Sequence, residues 1–278
     1  EACVKERTDY CDITGEVMWV DRMRQEFGKL TEENGTAIVS FAGFDCVPSD
    51  LGTLMLADYA RAQYDKPLSH AKASVMRIRG GISDGTLASF GKWQAPWMMA
   101  SIDAQTVQRA AEENHYGDNF SFYESLSVSS LLVALGIAVA LPLRLLMLAF
   151  PPTRWVVRQV LPQPSKGPTS KELAEGHFTL DLVGYTDTSG GGQARTVYAR
   201  VSGETDPGYG ETITYVCEAA LFIHKVKHSG KPKASSTRVV PGIHSPSVSL
   251  RMPFVEHLRL LGLEFLVGDK PFDAKKEE

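Results

Sequence analysis

The sequence lacks the motifs that most often reveal a bound ligand. It contains no GxGxxG and no GxxxxGK(S/T) segment, so neither of the common glycine-rich phosphate-binding loops lies within these 278 residues. No HExxH motif is present, and no metal site is predicted. The four cysteines are scattered and form no CxxC pair, which predicts reduced thiols in an intracellular protein rather than a disulfide framework.

Net positive charge is also absent. The chain has 29 Lys and Arg residues against 33 Asp and Glu residues, a net charge of -4 and a pI near 6.0. Nucleic-acid binding usually needs a basic patch, often with a pI above about 9, so no nucleic-acid partner is expected. The sequence opens with neither a methionine nor a signal peptide, so we expect a protein that is not secreted and whose true start lies upstream.

A third absence marks the middle of the chain, where no acidic residue occurs between Glu124 and Glu172. Residues 125–143 are uncharged and mostly apolar, and the apolar run resumes after Arg144. Because Pro142 and Arg144 interrupt it, the pattern predicts a monotopic helix or re-entrant hairpin at a membrane. A buried helix of a soluble domain, or a dimer contact, is the alternative. The predicted membrane contacts are Leu131, Leu132, Leu135, Ile137, Leu141, Leu145, Leu146, Phe150 and Trp155.

What is present in the first part of the chain predicts an α/β fold. Residues 10–13 and 36–41 have the composition of short strands, and the second is a nearly continuous apolar run, as in a parallel sheet covered on both faces. Residues 17–30 between them have apolar side chains at helical spacing. A second helix is predicted over about 51–63.

The later part predicts a mixture of strands and helices. Residues 177–185 and 194–202 alternate polar and apolar side chains around a glycine-rich turn, which indicates a β-hairpin. The other predicted elements are a strand over 71–79, helices over 87–111, 206–226 and 247–261, and a strand over 263–267.

Four motifs, in order along the chain, point to one family. They are TDYCDITGE at 8–16, GFDCVPSDLG at 43–52, GTLAS at 85–89 and DPGYGET at 206–212. Together they resemble the saccharopine-dehydrogenase-like oxidoreductases, which include the trans-acting enoyl reductases. The resemblance spans nearly the whole chain and extends to EAAL at 218–221 and to the late helix and strand.

The resemblance implies an enzyme that uses NAD or NADP, with its phosphate-binding loop upstream of this sequence. It also implies a hydrophobic or lipid-like substrate and an intracellular location at a lipid droplet, endoplasmic reticulum or mitochondrial membrane. A homodimer is a further expected partner. The alternative is a non-catalytic membrane or lipid-droplet scaffold that shares the fold.

The resemblance further implies the fold class and its division into domains. We expect an α/β protein that contains the C-terminal part of a Rossmann-type parallel sheet and an inserted α+β substrate-side domain. The predicted division is 1–70 as the end of the dinucleotide-binding domain, 71–124 as the start of the substrate-side domain, 125–160 as the membrane-associating segment, 161–171 as a linker, 172–268 as the substrate-side α+β region and 269–278 as a frayed tail.

The candidate site residues lie in loops that follow predicted strands, where open α/β sheets bind their ligands. Each also has a structural interpretation: Asp12 could cap the turn at Gly15, Asp45 or Asp50 could cap the following helix, and Tyr209 could belong to a structural turn. The full candidate set is Asp12, Gly15, Glu16, Phe44, Asp45, Pro48, Ser49, Asp50, Ser83, Gly85, Thr86 and Tyr209, with the catalytic residue left unassigned.

Overall fold

The computed structural model describes residues 1–79, 93–154, 168–188, 193–228 and 238–272, and it shows a mixed α/β fold with two sheets. The strands are β1 (Tyr10–Cys11), β2 (Ala37–Val39), β3 (Leu68–Arg79), β4 (Trp93–Ala95), β5 (Ser121–Val128), β6 (His177–Thr186), β7 (Thr196–Gly203), β8 (Gly242–His244) and β9 (Glu264–Gly268). The helices are α1 (Ala2–Lys5), α2 (Val17–Asn34), α3 (Val47–Tyr64), α4 (Ala100–Asn114), α5 (Leu131–Ala149), α6 (Ser170–Glu175), α7 (Thr212–His228), α8 (Pro246–Ser249) and α9 (Arg251–Leu260), with a π-helix at Pro207–Glu211 before α7.

The smaller sheet is parallel, with the strand order β1-β2-β8. Ile38 pairs with Tyr10 on one side and with Ile243 on the other. The predicted strand–helix–strand unit is therefore confirmed. Its third strand, however, comes from within 172–268, a range that the predicted division assigned to the substrate side, because pairing between such short strands is decided by tertiary packing rather than by chain order.

The larger sheet has six strands in the order β4-β5-β3-β6-β7-β9. It contains the predicted hairpin, in which β6 pairs antiparallel with β7. Strand β3 pairs antiparallel with β6 and parallel with β5. The hairpin and the late strand β9 are confirmed.

Helix α3 lies between the sheets and forms much of the core. It begins at Val47, earlier than predicted, because Pro48 is well tolerated in the first turn of a helix. Most of its side chains are buried against the larger sheet and the neighbouring helices. Gly52 lets the helix approach β6 and β7, since a Cβ atom there would lie 2.8 Å from Leu182 Cδ1 and 3.4 Å from Val201 Cγ2. This helix positions the loop before it relative to both sheets.

Two predicted helices differ from the structure. The helix expected over 87–111 is replaced, within its described part, by β4 and then α4, because β4 pairs antiparallel with β5. The helix expected over 247–261 is divided into α8 and α9 at Arg251, whose φ of 59° is left-handed. Residues 125–128 also belong to β5 rather than to the predicted membrane-associating segment.

Helix α5 is a long apolar helix that contributes little to the core. It is one continuous helix through Pro142 and Arg144, although these two residues interrupt the apolar pattern of the sequence. It is the one described helix long and apolar enough to cross a membrane. Only 6% of its most apolar 18-residue stretch is buried. Leu132 and Leu146 are 80% and 66% exposed, whereas Ala134 and Ile137 pack near β4 and β5. Of the other predicted contacts, Leu131, Leu135, Leu145 and Phe150 are exposed, Leu141 is partly buried, and Trp155 lies outside the described residues.

Candidate functional site

The carboxyl ends of the three parallel strands meet at one edge of the smaller sheet, where open α/β folds bind ligands. Backbone hydrogen bonds join the segments that leave this edge. The N–H of Asp12 donates to the carbonyl of Val39 at 3.1 Å, and the N–H of Ser40 donates to the carbonyl of His244 at 3.1 Å. The edge therefore holds three strand-end segments together, which we call the strand-end site.

Three of the four sequence motifs converge here around Gly43. A Cβ atom on this glycine would lie 3.2 Å from the side chain of Ile13 in the first motif and 3.3 Å from that of Thr212 in the fourth. The backbone N–H of Phe44 donates to Thr212 Oγ1 at 3.1 Å, and the Phe44 ring packs edge-on against Phe178 at 4.7 Å. Segments far apart in sequence are thus in direct contact at the strand-end site.

A cavity of about 240 Å³ opens beside this edge, between α2 and α4. Phe41 and Ser245 line it from the strand ends, and Thr106 lines it from α4. The buried Oγ1 of Thr106 has no hydrogen-bond partner among the described residues. Such an orphaned hydroxyl is the kind of group that a polar ligand atom satisfies.

The mouth of the cavity carries paired charges. Asp21 Oδ1 lies 3.2 Å from Arg24 Nη1 and 3.1 Å from Arg109 Nη2, so one carboxylate forms ion pairs with two guanidinium groups. Glu113 joins the network 3.8 Å from Arg24 and also contacts His244 at 2.5 Å. Although burial opposes ionisation of Glu113, the contacts with His244 and the two arginines lower its pKa overall.

Phe41 follows β2 in a left-handed conformation, with φ of 63°, although it is a bulky residue. It is 4% exposed, so its packing holds this unfavourable backbone in place. Strained backbone of this kind is concentrated at functional sites. Sequence reasoning missed Phe41, because nothing in a nearly continuous apolar run distinguishes its last residue.

The first predicted loop is shaped by its own side chains. Asp12 Oδ1 accepts from the backbone N–H of Thr14 at 3.1 Å, and Thr14 Oγ1 accepts from the N–H of Glu16 at 3.1 Å. Burial raises the pKa of Asp12 despite these hydrogen bonds. Asp12 therefore has the predicted turn-forming role. Gly15 lies near Ile102, and Glu16 occupies the N-cap position of α2, where its exposed side chain makes no capping hydrogen bond.

The aspartates of the second predicted loop do not have the capping role that was expected of them. Neither Asp45 nor Asp50 caps α3, whose N-cap residue is Cys46 and has no side-chain hydrogen bond there. Asp45 lies on the exposed surface of the loop. Asp50 is fully buried and accepts from the N–H and the hydroxyl of Ser247 at 2.8 and 2.6 Å. Its role is to connect α3 with α8, and burial raises its pKa to about 6.

The Ser49 side chain contacts Glu124, which is one of two neighbouring carboxyl groups that sequence reasoning missed. Its hydroxyl donates to Glu124 Oε1 at 2.8 Å. Asp103, in the first turn of α4, contacts both Glu124 and the thiol of Cys46. Burial raises the pKa of Asp103 well above its ordinary range and also raises that of Glu124. In the sequence, Asp103 resembles any polar residue inside the helix predicted over 87–111, and Glu124 resembles any polar residue at the edge of an apolar segment.

The remaining candidates are not brought into the strand-end site. Tyr209 is 52% exposed, and its N–H donates to Asp206 Oδ2 at 2.6 Å within the π-helix, which favours the structural turn. Ser83, Gly85 and Thr86 lie outside the described residues. The segment GISDG at 81–85, which contains Ser83 and Gly85, also matches the GxSxG pattern of a nucleophile elbow. That pattern requires a strand–turn–helix context, which the described residues do not include.

One paired-histidine spacing is also present in the sequence. His224 and His228 lie four residues apart on α7 with ring centroids at 4.8 Å, beside a cavity that Cys11 also lines. Across the ranges that the structure describes, no group of three or more His, Cys, Asp or Glu side chains is placed to hold a metal ion. The pair therefore carries no metal assignment.

Comparison with known proteins gives relatives of low identity over much of the chain. No family model matches. The chain is 26% identical to a candidate trans-acting enoyl reductase of Mycobacterium tuberculosis, over 94% of this chain and 74% of that protein. It is 25% identical to the trans-acting enoyl reductase of Mycobacterium bovis, over 71% of this chain and 62% of that protein. It is also 30% identical to a lipid droplet localized protein of Caenorhabditis elegans, over 29% of this chain and 18% of that protein. The enoyl reductase relatives support an oxidoreductase family for this chain.

Proposed function

We propose that this chain forms the substrate-side part of a nicotinamide-dependent reductase that acts on a carbon–carbon double bond conjugated to a carbonyl, in a lipid-like molecule. The observation that carries the proposal is the convergence of three motifs around Gly43 at the strand-end site, beside a cavity. Two relatives with enoyl reductase names cover most of the chain and supply the reaction class.

We propose that one end of a nicotinamide cofactor occupies the cavity. Thr106 and Phe41 both line it, and a ribose or carboxamide group would satisfy the Thr106 hydroxyl, which has no hydrogen-bond partner among the described residues. When bound there, a reduced nicotinamide would supply a hydride to the substrate. The sequence contains no glycine-rich pyrophosphate loop, so we propose that the pyrophosphate is held by residues outside this sequence and that these 278 residues alone bind NADH or NADPH weakly.

A lipid-like substrate is favoured by the exposed apolar surface of α5. Six of its leucines, among them Leu132 and Leu146, are exposed, and Arg144 is the only charged residue between Leu131 and Ala149. We propose that α5 holds the protein to a membrane or lipid-droplet surface inside the cell. The partial match to a lipid droplet localized protein supports this location. It supports equally the alternative of a scaffold without catalysis, which the next experiment separates.

The reductase proposal is tested with the full-length protein, NADH or NADPH, and a trans-2-dodecenoyl thioester. We expect oxidation of one nicotinamide and a product two hydrogens heavier than the substrate. Thr106→Val should raise the KM for the nicotinamide by about 2- to 10-fold, because one hydrogen bond is worth about 0.5–1.5 kcal/mol. Thr31→Val is the matched control, since Thr31 is equally buried but bonds within α2.

Folded wild-type protein that oxidises neither nicotinamide would contradict the reductase and favour the scaffold. If T31V raised the KM for the nicotinamide as much as T106V does, the cavity would not be the nicotinamide site, because Thr31 does not line it.

A further inference from the structure

Two carboxyl groups face each other in the interior beneath the strand-end site. Asp103 comes from the first turn of α4 and Glu124 from the inner face of β5, and we call them the acid pair. Ser49, from the second sequence motif, fixes Glu124 through a hydrogen bond of 2.8 Å. The pair is therefore built from three elements that meet under the loop carrying that motif.

No positively charged side chain among the described residues compensates the acid pair. Asp103 is 1% exposed, and its carboxyl contacts the Glu124 carboxyl and the Cys46 thiol, which is a weak donor. The second oxygen of Glu124 is likewise buried, with no hydrogen-bond donor among the described residues apart from Asp103. An ionised carboxylate without donors is very costly to bury, so such a group keeps its proton. Two adjacent carboxyls in this environment favour a form in which they share one proton, because burial raises the pKa of both.

We propose that the acid pair is a proton donor for the reduction, with Glu124 as the group that delivers the proton and Asp103 as the residue that retains and positions it. Glu124 is assigned the delivery because the Ser49 hydroxyl, from the second motif, bonds its carboxyl directly, whereas Asp103 is enclosed. This proposal rests on the proposed reductase function. Asp103 also lies one helical turn from Thr106, which lines the cavity, so α4 connects the pair with the cofactor side.

The chemistry balances with a reduced nicotinamide as the hydride source. The hydride adds to the β-carbon, the double-bond electrons move toward the carbonyl, and the α-carbon then needs a proton. The Glu124 carboxyl breaks its O–H bond as the new C–H bond forms, and the pair is left fully ionised. One proton from water restores the pair, so the net reaction consumes one hydride and one proton for each double bond.

The surroundings keep the proton on the pair. Asp45, in the loop before α3, adds negative charge at Asp103, and the Cys46 thiol at the N-cap of α3 has a pKa raised well above its ordinary value by burial. Among the described residues of α4 and β5, the charged groups that act on the two carboxyls are those of the pair itself. Every neighbouring group is thus acidic or neutral, and none of them favours ionisation by its charge.

The first test needs no cofactor. Infrared spectra of the full-length protein at pH 8 should show the carbonyl band of a buried protonated carboxyl, and Asp103→Asn should remove it. Asp118→Asn, at an exposed aspartate outside the pair, should retain the band. A wild-type spectrum without the band would overturn the proposal, whatever the activity of the protein.

The second test uses the reductase assay. Glu124→Gln should lower kcat by about 100-fold or more with little change in KM, because a positioned general acid contributes that much. Glu124→Asp, which keeps the acid at a shorter reach, should restore part of the rate. D103N should move the alkaline limb of the kcat profile to lower pH, because Glu124 then loses its proton more easily. A merely structural residue would lower the folded fraction without moving this limb.

The outcomes separate this inference from the function on which it rests. An E124Q enzyme as fast as wild type would overturn the donor role while the reductase stands. If wild type showed the infrared band but reduced no double bond, the proposed function would fail and the donor role with it, whereas the shared proton would be supported.

Discussion

The buried carboxylate of Asp50 connects two helices, and its ionisation lowers the stability of the fold. Its two oxygens accept from Ser247, which lies 197 residues away, and so tie α3 to α8 at the strand-end site. Burial without a cation raises its pKa from 3.8 to about 6. A raised carboxyl pKa means that the folded state binds the proton more tightly than the unfolded state does.

The pH dependence of stability follows from this shift. The stabilisation linked to Asp50 is complete below pH 3.8 and is lost as the pH rises through about 6. The difference between pH 5 and pH 8 is about 1.4 kcal/mol, because only about one pKa unit separates pH 5 from the folded-state pKa of about 6. Urea unfolding at these two pH values should show wild type losing more stability toward pH 8 than Asp50→Asn does. D118N should behave as wild type, and an equal loss in D50N and wild type would refute the assignment.

At the scale of elements, helix α3 depends on close approach to the larger sheet. Gly52 is the residue that permits it, because an added Cβ would meet Leu182 at 2.8 Å. Gly28 in α2 is a contrasting helical glycine, where an added Cβ would make an ordinary contact of 3.4 Å with the Arg24 side chain.

The two glycines give a matched prediction. Gly52→Ala should lower the free energy of unfolding by about 1–3 kcal/mol, because overpacking a core has that cost. Gly28→Ala should raise it by about 0.5–1 kcal/mol, because alanine is the better helix former. Chemical denaturation measures both changes. If G52A were as stable as G28A, α3 would not be packed as tightly as this geometry requires.

At the scale of the whole molecule, α5 is the feature that a compact soluble fold does not explain. Isolated exposed apolar side chains are common on protein surfaces, but a continuous apolar helix indicates a partner. The mostly apolar composition all around the helix fits a lipid environment better than a one-sided protein contact.

Flotation tests this attachment. We expect the full-length protein to rise with vesicles of phosphatidylcholine and phosphatidylserine. Replacing Leu132, Leu135, Val139 and Leu146 by Gln should leave it at the bottom of the gradient, because each buried aliphatic side chain contributes about 1.5–3 kcal/mol. The matched control replaces four apolar residues exposed elsewhere, Met18, Ile213, Leu221 and Leu260, and should still float. If the wild-type protein instead stayed at the bottom as a dimer, the partner that covers α5 would be a second copy of the chain.

Local patterns in the sequence determined the α/β class, the parallel strand–helix–strand unit, the β6–β7 hairpin and the apolar segment that became α5. These features depend on the periodicity of neighbouring residues, which is visible without a fold. The strand-end loops of the first two motifs could also be placed, because the ends of parallel strands share one edge.

Only the tertiary structure decided which side chains meet. The contact of Ser49 with Glu124 joins residues 75 apart in sequence, and that of Asp50 with Ser247 joins residues 197 apart. The pairing of β8 with β2 and the strained backbone of Phe41 are also set by packing. A carboxylate in a sequence has an ordinary pKa, and it becomes a buried group that holds a proton only when the folded chain removes water from it without supplying a cation.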